Sequence, residues 1–594
     1  MTADLIHRSA VELAGLIRAR TISSVELVEA YLARIDRWND ALGAYVTVCR
    51  ERALDEARAA EQALGHGAPL GPLHGVPFAV KDQFDTAGVR TTSGSRLHRD
   101  RVPTEDASVV ARLRSAGGIL LGKLNLTEFA LGGTLTHPFG QPRNPWDRTR
   151  ETGGSSSGSG IAAAAALAAA TLGEDTGGSV RTPAAWCGAV GLRPTWGLVP
   201  RSGCVPVAWS MDAPGPLTRS VEDAALLLSI IAGPDGRDRW MRPAPGDPRA
   251  DLERGAGGLS IGVVTPLVDS PETDGEVREA VRRSADTLRG LGARVEDVDL
   301  PLVPMAGAVF MALADGEAAA WHHRTLATRG DEYDAGTRRR LVTAALLPAT
   351  LGQQAARARA AIRTQLWDAL GRFDVLLAPT APTAAPPIAS AQAPIASRAE
   401  AGRRFFNRRS YTTPASLAGV PALSAAVRVH RGRPADRAPA HRPPLRRGDP
   451  AARRARVRAG DRLAHPPAAP ARLTAGCSRW CDDGGMRAIG EIATFVTSKN
   501  AGPFLLTLDI VFPDEATFRR FVAGRPLDRD TVARLYGLSP DDVVDIIEFE
   551  PAFAVKITLR RPWPSGAIGE TDVYGAQQHV PLARHAIEWP ESAR

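Results

Sequence analysis

The segment DASVVARLRSAGGILLGKLN, residues 106–125, constrains the fold most, because it predicts a helix, a glycine-containing turn and a strand in immediate succession. An apolar run bounded by glycine and proline at residues 71–88 predicts a buried strand before it. Two further strand-like segments enclose a predicted helix at residues 275–290. Such alternation is typical of α/β proteins, so we predict the α/β class.

Regular periodicity ends near residue 428 and returns at Met486. Residues 428–479 contain fourteen arginines, no lysine and three aspartates without an apolar period, which is typical of a disordered linker. From Met486 onwards, strand-like and short helical segments predict a small α+β domain. We therefore predict three regions, which are residues 1–427, an arginine- and proline-rich segment at 428–485, and a domain at 486–594.

The net charge of +8 does not indicate a nucleic-acid-binding protein, because the excess positive charge lies within residues 428–479. No apolar run reaches the roughly 18 residues that span a bilayer. The N-terminus lacks the basic start and cleavage site of a signal peptide. The five cysteines are sparse and odd in number, which indicates reduced thiols. We therefore predict a cytoplasmic protein.

Ser179 follows two glycines in GEDTGGSVRTPAAWCG, residues 173–188, a stretch too rich in glycine for an ordinary helix. The G-x-S-x-G pattern of a nucleophile elbow is incomplete, because Arg181 stands where the last glycine is required. The loop GGSSSGSG at 153–160 lacks the lysine of a phosphate-binding loop, and we predict that it leads into an alanine-rich helix at 161–173. Taken alone, these residues leave a catalytic serine and a flexible turn as open alternatives.

Three segments taken together narrow these alternatives: GVPFAVKD with Lys81, ETGGSSSGSG with Ser155, and GEDTGGSVRTPAAWCG with Ser179. Their order and spacing resemble the amidase signature family of serine hydrolases. The resemblance extends from about residue 5 to about residue 425. It includes LGKLNLTEFA, FGQPRNPWD, VGLRPTWGLVPRSG, SMDAPGPLTRSVEDAA, FDVLLAPTAP and TTPASLAGVPALS.

The resemblance implies an amidase signature fold, with a large mixed central β-sheet flanked by helices, and a Ser-Ser-Lys triad. In this triad Ser179 is the nucleophile, Ser155 relays its proton through a position with a cis peptide bond, and Lys81 receives the proton. The family also implies an oxyanion hole of four backbone N–H groups and two supporting side chains. These are Thr176, Gly177, Gly178 and Ser179 for the hole, and Asp175 and Arg181 for the support. Glu174 departs from the threonine that many members carry at its position.

A lysine can act as this base only when its amine is neutral. With its ordinary pKa of about 10.4, a lysine is protonated at pH 7 and cannot activate a serine hydroxyl. Burial without a counter-charge lowers the pKa of a lysine by up to about 3–5 units. Lys81 follows the apolar residues VPFAV, so we expect its side chain to be buried.

Several functions are consistent with these residues. The first hypothesis is an amidohydrolase that cleaves a linear carboxamide to a carboxylate and ammonia or an amine through an acyl-enzyme. The alternative is the amidase-type subunit of a tRNA-dependent amidotransferase, which needs a partner and takes ammonia from glutamine. A catalytically dead adaptor is a third, although retention of the triad counts against it. We predict no cofactor and no metal. As partners we predict a small-molecule amide substrate and a possible homodimer, with no nucleic acid and no membrane.

Residues 486 to about 585 resemble a small uncharacterised family, a domain of unknown function whose members occur beside proteins of acyclic terpene utilisation. The segments MRAIGEIATFVTSKNAGPFLLTLDIVF and SGAIGETDVYGAQQHVPL carry the resemblance. It implies no chemistry. Several polar residues could line a site there, although solvated loops are the favoured interpretation: Lys499, Asn500, Asp572, Tyr574, Gln577 and His579.

Residues 433–467 carry a second pattern when their codons are shifted. Back-translated with GC-rich codons and read one base later, they can give a string that resembles the strand and helix following LAGVPALS in the amidase signature family. We therefore predict a frameshift between about residues 425 and 433. Sequencing the gene across this junction should reveal the one-base difference, and consistent reads in the unshifted frame would contradict it.

Overall fold

The computed structural model describes residues 5–132, 136–389, 397, 400–402, 406–427, 486–500, 505–561 and 578–589. The chain divides into two compact units, residues 1–465 and 466–594. The arginine- and proline-rich segment at 428–485, with most of the junction at which we predict a frameshift, lies outside the described residues. The boundaries of the three predicted regions therefore stay predictions.

The strands of the first unit form two sheets. They are Tyr45–Val48 (β1), Pro77–Lys81 (β2), Ile119–Leu124 (β3), Ala170–Glu174 (β4), Val190–Arg193 (β5), Pro214–Thr218 (β6), Ser260–Val264 (β7), Arg294–Val298 (β8), Val375–Leu377 (β9) and Ala422–Ser424 (β10). The larger sheet has the order β1-β3-β2-β4-β6-β5-β10, and the smaller has the order β8-β7-β9. In the larger sheet β2 is parallel to β3 and β4, whereas the pairings between the other neighbouring strands of this sheet are antiparallel.

Helices flank these sheets. They are Ala10–Arg18 (α1), Ser24–Leu42 (α2), Arg50–Gly65 (α3), Ser108–Ser115 (α4), Ser157–Ala164 (α5), Arg181–Cys187 (α6), Val221–Ile231 (α7), Thr265–Val268 (α8), Gly275–Gly290 (α9), Ala306–Arg329 (α10), Ala335–Ala345 (α11), Ala349–Leu370 (α12) and Thr413–Ala418 (α13). Apolar side chains of α1 and α2 share a buried cluster with β2, β3 and β4. This mixed sheet with flanking helices confirms the predicted fold class.

Local signals set several helix ends as predicted. Ser23 accepts the backbone N–H of Glu26 at 3.0 Å, and the Glu26 carboxylate accepts the N–H of Ser23 at the same distance. This reciprocal pair satisfies two donors that the first turn of α2 would otherwise leave free. The hydroxyl of Ser220 likewise accepts from Asp223 at 3.1 Å and begins α7.

The alanine-rich run at 161–173 is not one helix, so that prediction is wrong. Helix α5 ends at Ala164, and the run continues as strand β4 from Ala170. Alanine favours a helix only weakly over its alternatives, so tertiary contacts decide its conformation. Here β4 lies fully buried between β2 and β6, and Arg219 donates to the carbonyls of Ala163 and Ala168 on either side of the turn.

The parallel pairing of β2 with β4 positions two ionisable residues. Lys81 is the last residue of β2 and Glu174 is the last residue of β4. In the register, Val80 lies opposite Leu172, so both strands end at the same edge of the sheet. The two side chains are fully buried. The fold therefore brings a lysine and a glutamate together away from solvent.

One stretch, Val303–Glu332, is long and apolar enough to cross a membrane by length and composition. It contains α10, and 56% of its most apolar window is buried inside the fold. Asp315 of this helix forms an ion pair with Arg340 at 2.5 Å. Burial and a charged partner are typical of a helix packed in a protein core. The cytoplasmic location stays a prediction.

The second unit has a separate antiparallel sheet and its own apolar core. Its strands are Met486–Ala488 (β11), Phe495–Asn500 (β12), Leu505–Val511 (β13), Val543–Phe549 (β14), Ala554–Arg560 (β15) and Ala586–Glu588 (β16). Its helices are Ile489–Ile492 (α14), Glu515–Gly524 (α15), Arg529–Tyr536 (α16) and Val580–Arg584 (α17). The main sheet has the order β12-β13-β15-β14, and β11 pairs with β16. This arrangement confirms the small α+β fold predicted for the tail.

Candidate active site

Lys81 and Ser155 are in direct contact. The Lys81 Nζ lies 2.8 Å from Oγ of Ser155 and 3.6 Å from Oε2 of Glu174. Burial lowers the pKa of Lys81 from its usual range, and the nearby Glu174 carboxyl opposes that shift. A buried amine with a lowered pKa, at hydrogen-bond distance from a hydroxyl, is suited to accept a proton from it.

The two serine-bearing loops lie side by side. Ser155 follows a cis peptide bond at Gly154–Ser155, and its side chain is almost fully buried. The N–H of Ser156 donates to the carbonyl of Ser179 at 3.2 Å, which joins the loops. Among the described residues, no hydrogen bond joins the hydroxyls of Ser179 and Ser155. The hydrogen bond between Lys81 and Ser155 that the predicted relay requires is thus formed, whereas the one between Ser155 and Ser179 is not. Catalytic hydrogen bonds are commonly long or unformed without substrate.

The predicted oxyanion hole has three available donors. Within the described part of the chain, the N–H groups of Thr176, Gly177 and Ser179 have no hydrogen-bond acceptor. The N–H of Gly178 instead donates to Oδ1 of Asp175 at 2.8 Å. Gly178 is therefore engaged in holding the loop, and the other three donors are the ones available to a negatively charged oxygen.

The two glycines of this loop have no room for a side chain. A Cβ at Gly177 would lie 2.3 Å from the ring of Phe310, and one at Gly178 would lie 2.4 Å from Oγ1 of Thr412. Gly178 also has a φ of +126°, which favours glycine. The loop therefore packs directly against Phe310 and Thr412, and the Thr412 hydroxyl donates to the Gly177 carbonyl at 2.6 Å.

Asp175 organises the loop from its buried side. Its carboxylate accepts the N–H of Val180 at 3.1 Å and the guanidinium of Arg181 at 2.9 and 3.0 Å. Arg193, which is fully buried, approaches the same carboxylate at 3.3 Å. Burial alone would raise the pKa of Asp175, but Arg181 and Arg193 reverse the effect and hold the pKa below its usual range. Asp175 is therefore ionised between two cations.

Arg181 connects this loop to α13. Its guanidinium donates to the carbonyl of Thr412 at 2.6 Å and to the hydroxyl of Ser416 at 3.1 Å. The predicted supporting positions, Asp175 and Arg181, thus lie in one buried network, although their roles stay predictions. Sequence reasoning missed Arg193 and Thr412. A charged residue inside the apolar run VGLR was a signal for Arg193, whereas no local pattern indicated the contact of Thr412.

The other candidate sites have less support. In the second unit, Nδ1 of His579 lies 3.3 Å from the Ser498 hydroxyl. Asp572, Tyr574 and Gln577 lie outside the described residues, as do the side chains of Lys499 and Asn500. Among the residues that the structure describes, no group of three or more histidine, cysteine, aspartate or glutamate side chains could hold a metal ion.

Comparison with known protein families finds two matches along the chain. A family described as Amidase matches residues 26–438. A family described as a domain of unknown function (DUF4387) matches residues 489–586. Both matches confirm the two resemblances found in the sequence.

Individual proteins extend these matches. The chain is 39% identical over 435 residues to a glutamyl-tRNA(Gln) amidotransferase subunit from Synechococcus sp. (strain CC9605), covering 69% of this chain and 87% of the relative. It is 33% identical, with a TM-score of 0.65, to a structure from a vestigial protein complex that reveals the origins of an s-triazine catabolic enzyme, covering 70% of this chain and 90% of that one. The native peptide amidase of Stenotrophomonas maltophilia is 32% identical with a TM-score of 0.60, covering 70% and 89%.

These relatives correct the partners predicted from the sequence. We expected a small-molecule amide substrate and a possible homodimer, with no nucleic acid and no membrane. The Synechococcus relative is named as one subunit of an enzyme that acts on a glutamyl-tRNA. The prediction of a small molecule alone as partner, without nucleic acid, is therefore wrong. The expectation failed because it rested on the charge distribution of this chain, which carries no information about partner subunits.

Replacing Asp175 by Asn should destabilise the first unit strongly. The change leaves Arg181 and Arg193 buried without their counter-charge, which typically costs about 3–5 kcal/mol. Asp247→Asn is the matched control, because its partner Arg249 is exposed and such pairs contribute less than about 1 kcal/mol. Denaturant unfolding of both variants measures the difference.

The pH dependence has a defined sign. The pKa of Asp175 is depressed in the folded state. Its contribution to the free energy of unfolding is therefore fully present above the ordinary pKa of 3.8, and it is lost progressively as the pH falls from 3.8 towards the lower pKa of the folded state. Equal losses of stability in Asp175→Asn and Asp247→Asn would contradict the ionised role of Asp175.

Proposed function

The chain belongs to the amidase family, and we propose that it breaks a carboxamide C–N bond through an acyl-enzyme formed on Ser179. The observation that carries the proposal is the 2.8 Å contact between Lys81 Nζ and Ser155 Oγ, made by a lysine without solvent exposure. A surface ion pair would leave the lysine hydrated and charged. A buried amine beside a hydroxyl instead favours the neutral form that a base requires.

The proposed reaction begins with two proton transfers. Ser155 takes the proton of Ser179 and delivers its own proton to the neutral amine of Lys81, while Oγ of Ser179 attacks the carbonyl carbon. The N–H groups of Thr176, Gly177 and Ser179 receive the negative charge that forms on the carbonyl oxygen. Each such donor is worth about 3–4 kcal/mol of barrier in other hydrolases.

The second half of the reaction uses the same groups in reverse. When the C–N bond breaks, Lys81 returns its proton through Ser155 to the leaving nitrogen. A water molecule then attacks the acyl-enzyme, and the relay removes its proton. Ser179 regains its hydroxyl hydrogen as the carboxylate product leaves.

For the substrate, we propose the amide of glutamine, with the chain acting as the amidase-type subunit of a larger amidotransferase. The support is the 39% sequence identity over 435 residues to a relative that is named as a subunit of an amidotransferase. In this role the nitrogen released at Ser179 is ammonia, which a partner enzyme consumes. A stand-alone amide hydrolase is the second candidate, supported by the similarity to the solved peptide amidase.

Replacing Ser179 by Ala should abolish both labelling by a fluorophosphonate probe and release of ammonia from glutamine. Lys81→Ala should slow labelling at neutral pH at least as much as Ser155→Ala, because Lys81 is the final proton acceptor. Labelling of the unaltered chain should accelerate as pH rises and Lys81 loses its proton. Ser229→Ala, in α7, is the matched control, because among the described residues its hydroxyl donates only to the helix carbonyl of Leu226.

Three results separate the possibilities. Labelling that persists in Ser179→Ala would identify another nucleophile and contradict the proposal. Ammonia release from glutamine that rises when the partner proteins of an amidotransferase are added supports the subunit role. Rapid hydrolysis of simple amides by the chain alone, without glutamine hydrolysis, would replace it by the second candidate.

A further inference from the structure

The hydroxyl of Thr176 lies between two buried carboxyl groups. Its Oγ1 is 2.9 Å from Oε1 of Glu174 and 2.8 Å from Oδ1 of Asp212. A threonine hydroxyl carries one proton, which it donates to one oxygen at a time. The second contact is favourable only if the other carboxyl group is protonated and donates to Oγ1. The geometry therefore requires one proton on this pair of carboxyl groups.

The surroundings determine which carboxyl group carries that proton. Asp212 accepts the backbone N–H groups of Val207 at 3.0 Å and Ala208 at 2.9 Å, which favour its ionised form. Among the described residues, Glu174 accepts no backbone donor, and its Oε2 has no hydrogen-bond partner. The proton therefore belongs to Glu174, which donates to Thr176, while Thr176 donates to Asp212.

We propose that Glu174 and Asp212 share one proton through Thr176, and that its location controls whether Lys81 is neutral. Oε2 of Glu174 is 3.6 Å from Nζ of Lys81, so an ionised Glu174 would hold Lys81 as an ammonium, whereas a protonated Glu174 leaves the amine neutral. Glu174 is thus a positioning residue for the base. This inference rests on the role of Lys81 in the proposed function.

The shared proton moves in step with the catalytic one. When Lys81 receives a proton from Ser155, the O–H bond of Glu174 breaks and its proton passes to Oγ1 of Thr176. The original Thr176 proton passes to Oδ1 of Asp212. The cluster gains only the proton that Lys81 took, and no electron is transferred. The Lys81 ammonium then faces a Glu174 carboxylate, and the return of its proton to the leaving nitrogen reverses both transfers.

The other ionisable groups near Glu174 do not account for the protonation state of Lys81. The carboxylate of Asp175 is compensated by its two arginines. Burial raises the pKa of the Cys204 thiol well above its usual value, so the thiol is neutral. Lys81 is therefore the charge that responds to Glu174.

The ionisation of the two carboxyl groups is consistent with sharing near neutral pH. Burial, and then the neighbouring Asp212, raise the pKa of Glu174 to about 7. Burial likewise raises the pKa of Asp212 to about 6, with Glu317 adding to the effect. Asp212 also lines a cavity of about 220 Å³ beside Trp209.

Glu174→Gln tests the proposal in the full chain, because glutamine keeps the shape of the side chain but cannot ionise. We expect the rising limb of the pH dependence of Ser179 labelling by a fluorophosphonate to move to lower pH by about one unit, since no carboxylate remains to hold the Lys81 ammonium. In the infrared difference spectrum between the unaltered chain and this variant near neutral pH, we expect the carbonyl band of a protonated carboxyl group, present only in the unaltered chain.

A second pair of variants tests the shared hydroxyl. Thr176→Val removes it and should slow labelling, and Thr176→Ser should restore the rate. Asp223→Asn is the matched control, because it alters a fully buried carboxyl group in α7 away from the site and should leave the pH limb unchanged.

Superimposable pH limbs for the unaltered chain and Glu174→Gln, or the absence of the protonated-carboxyl band, would overturn the inference. If Glu174→Gln does not fold, equal labelling rates in Thr176→Val and Thr176→Ser would overturn it. Labelling that survives in Ser179→Ala would instead overturn the proposed function, so the two failures are distinguishable.

Discussion

Burial of one lysine amine is the constraint on which the rest of this site depends. A charged ammonium costs several kcal/mol to remove from water unless it is well paired. The parallel pairing of β2 with β4 nevertheless places Lys81 inside the fold. Its immediate partners are the hydroxyl of Ser155 and the carboxyl group of Glu174, whose nearer oxygen has no hydrogen-bond partner among the described residues. Such surroundings favour a neutral amine, which is the form that can remove a proton from serine.

The next residue along the chain, Asp175, has the opposite electrostatic surroundings. Glu174 faces Lys81, whereas Asp175 faces Arg181 and Arg193. Burial raises the pKa of Glu174 to about 7, whereas for Asp175 the two arginines outweigh burial and hold the pKa below its usual range. The ionised group fixes the glycine loop through the N–H of Gly178 and leaves the donors around it available. In the proposed function, the residues that surround Lys81 therefore differ from those that hold the glycine loop.

Local and familial patterns predicted much of this arrangement. The capping box of Ser23 follows from a short local motif, whereas the contact between Lys81 and Ser155 was implied by the family resemblance. The alanine run could not be divided from its sequence, because alanine is compatible with both the helix and the buried strand. Asp212 and Thr412 were missed for another reason. They meet the loop from positions 36 and 235 residues away from their partners, and no local pattern encodes such contacts.

The neutrality of Lys81 can be measured directly, because the chain contains only four lysines, Lys81, Lys123, Lys499 and Lys556. Protein labelled with ¹⁵N-lysine gives one side-chain nitrogen signal for each, and Lys81→Arg assigns the signal of interest. We expect that signal to have the chemical shift of a neutral amine at neutral pH and to titrate well below the ordinary lysine pKa of about 10.4. A Lys81 signal that remains that of an ammonium up to the ordinary pKa would contradict its role as the base.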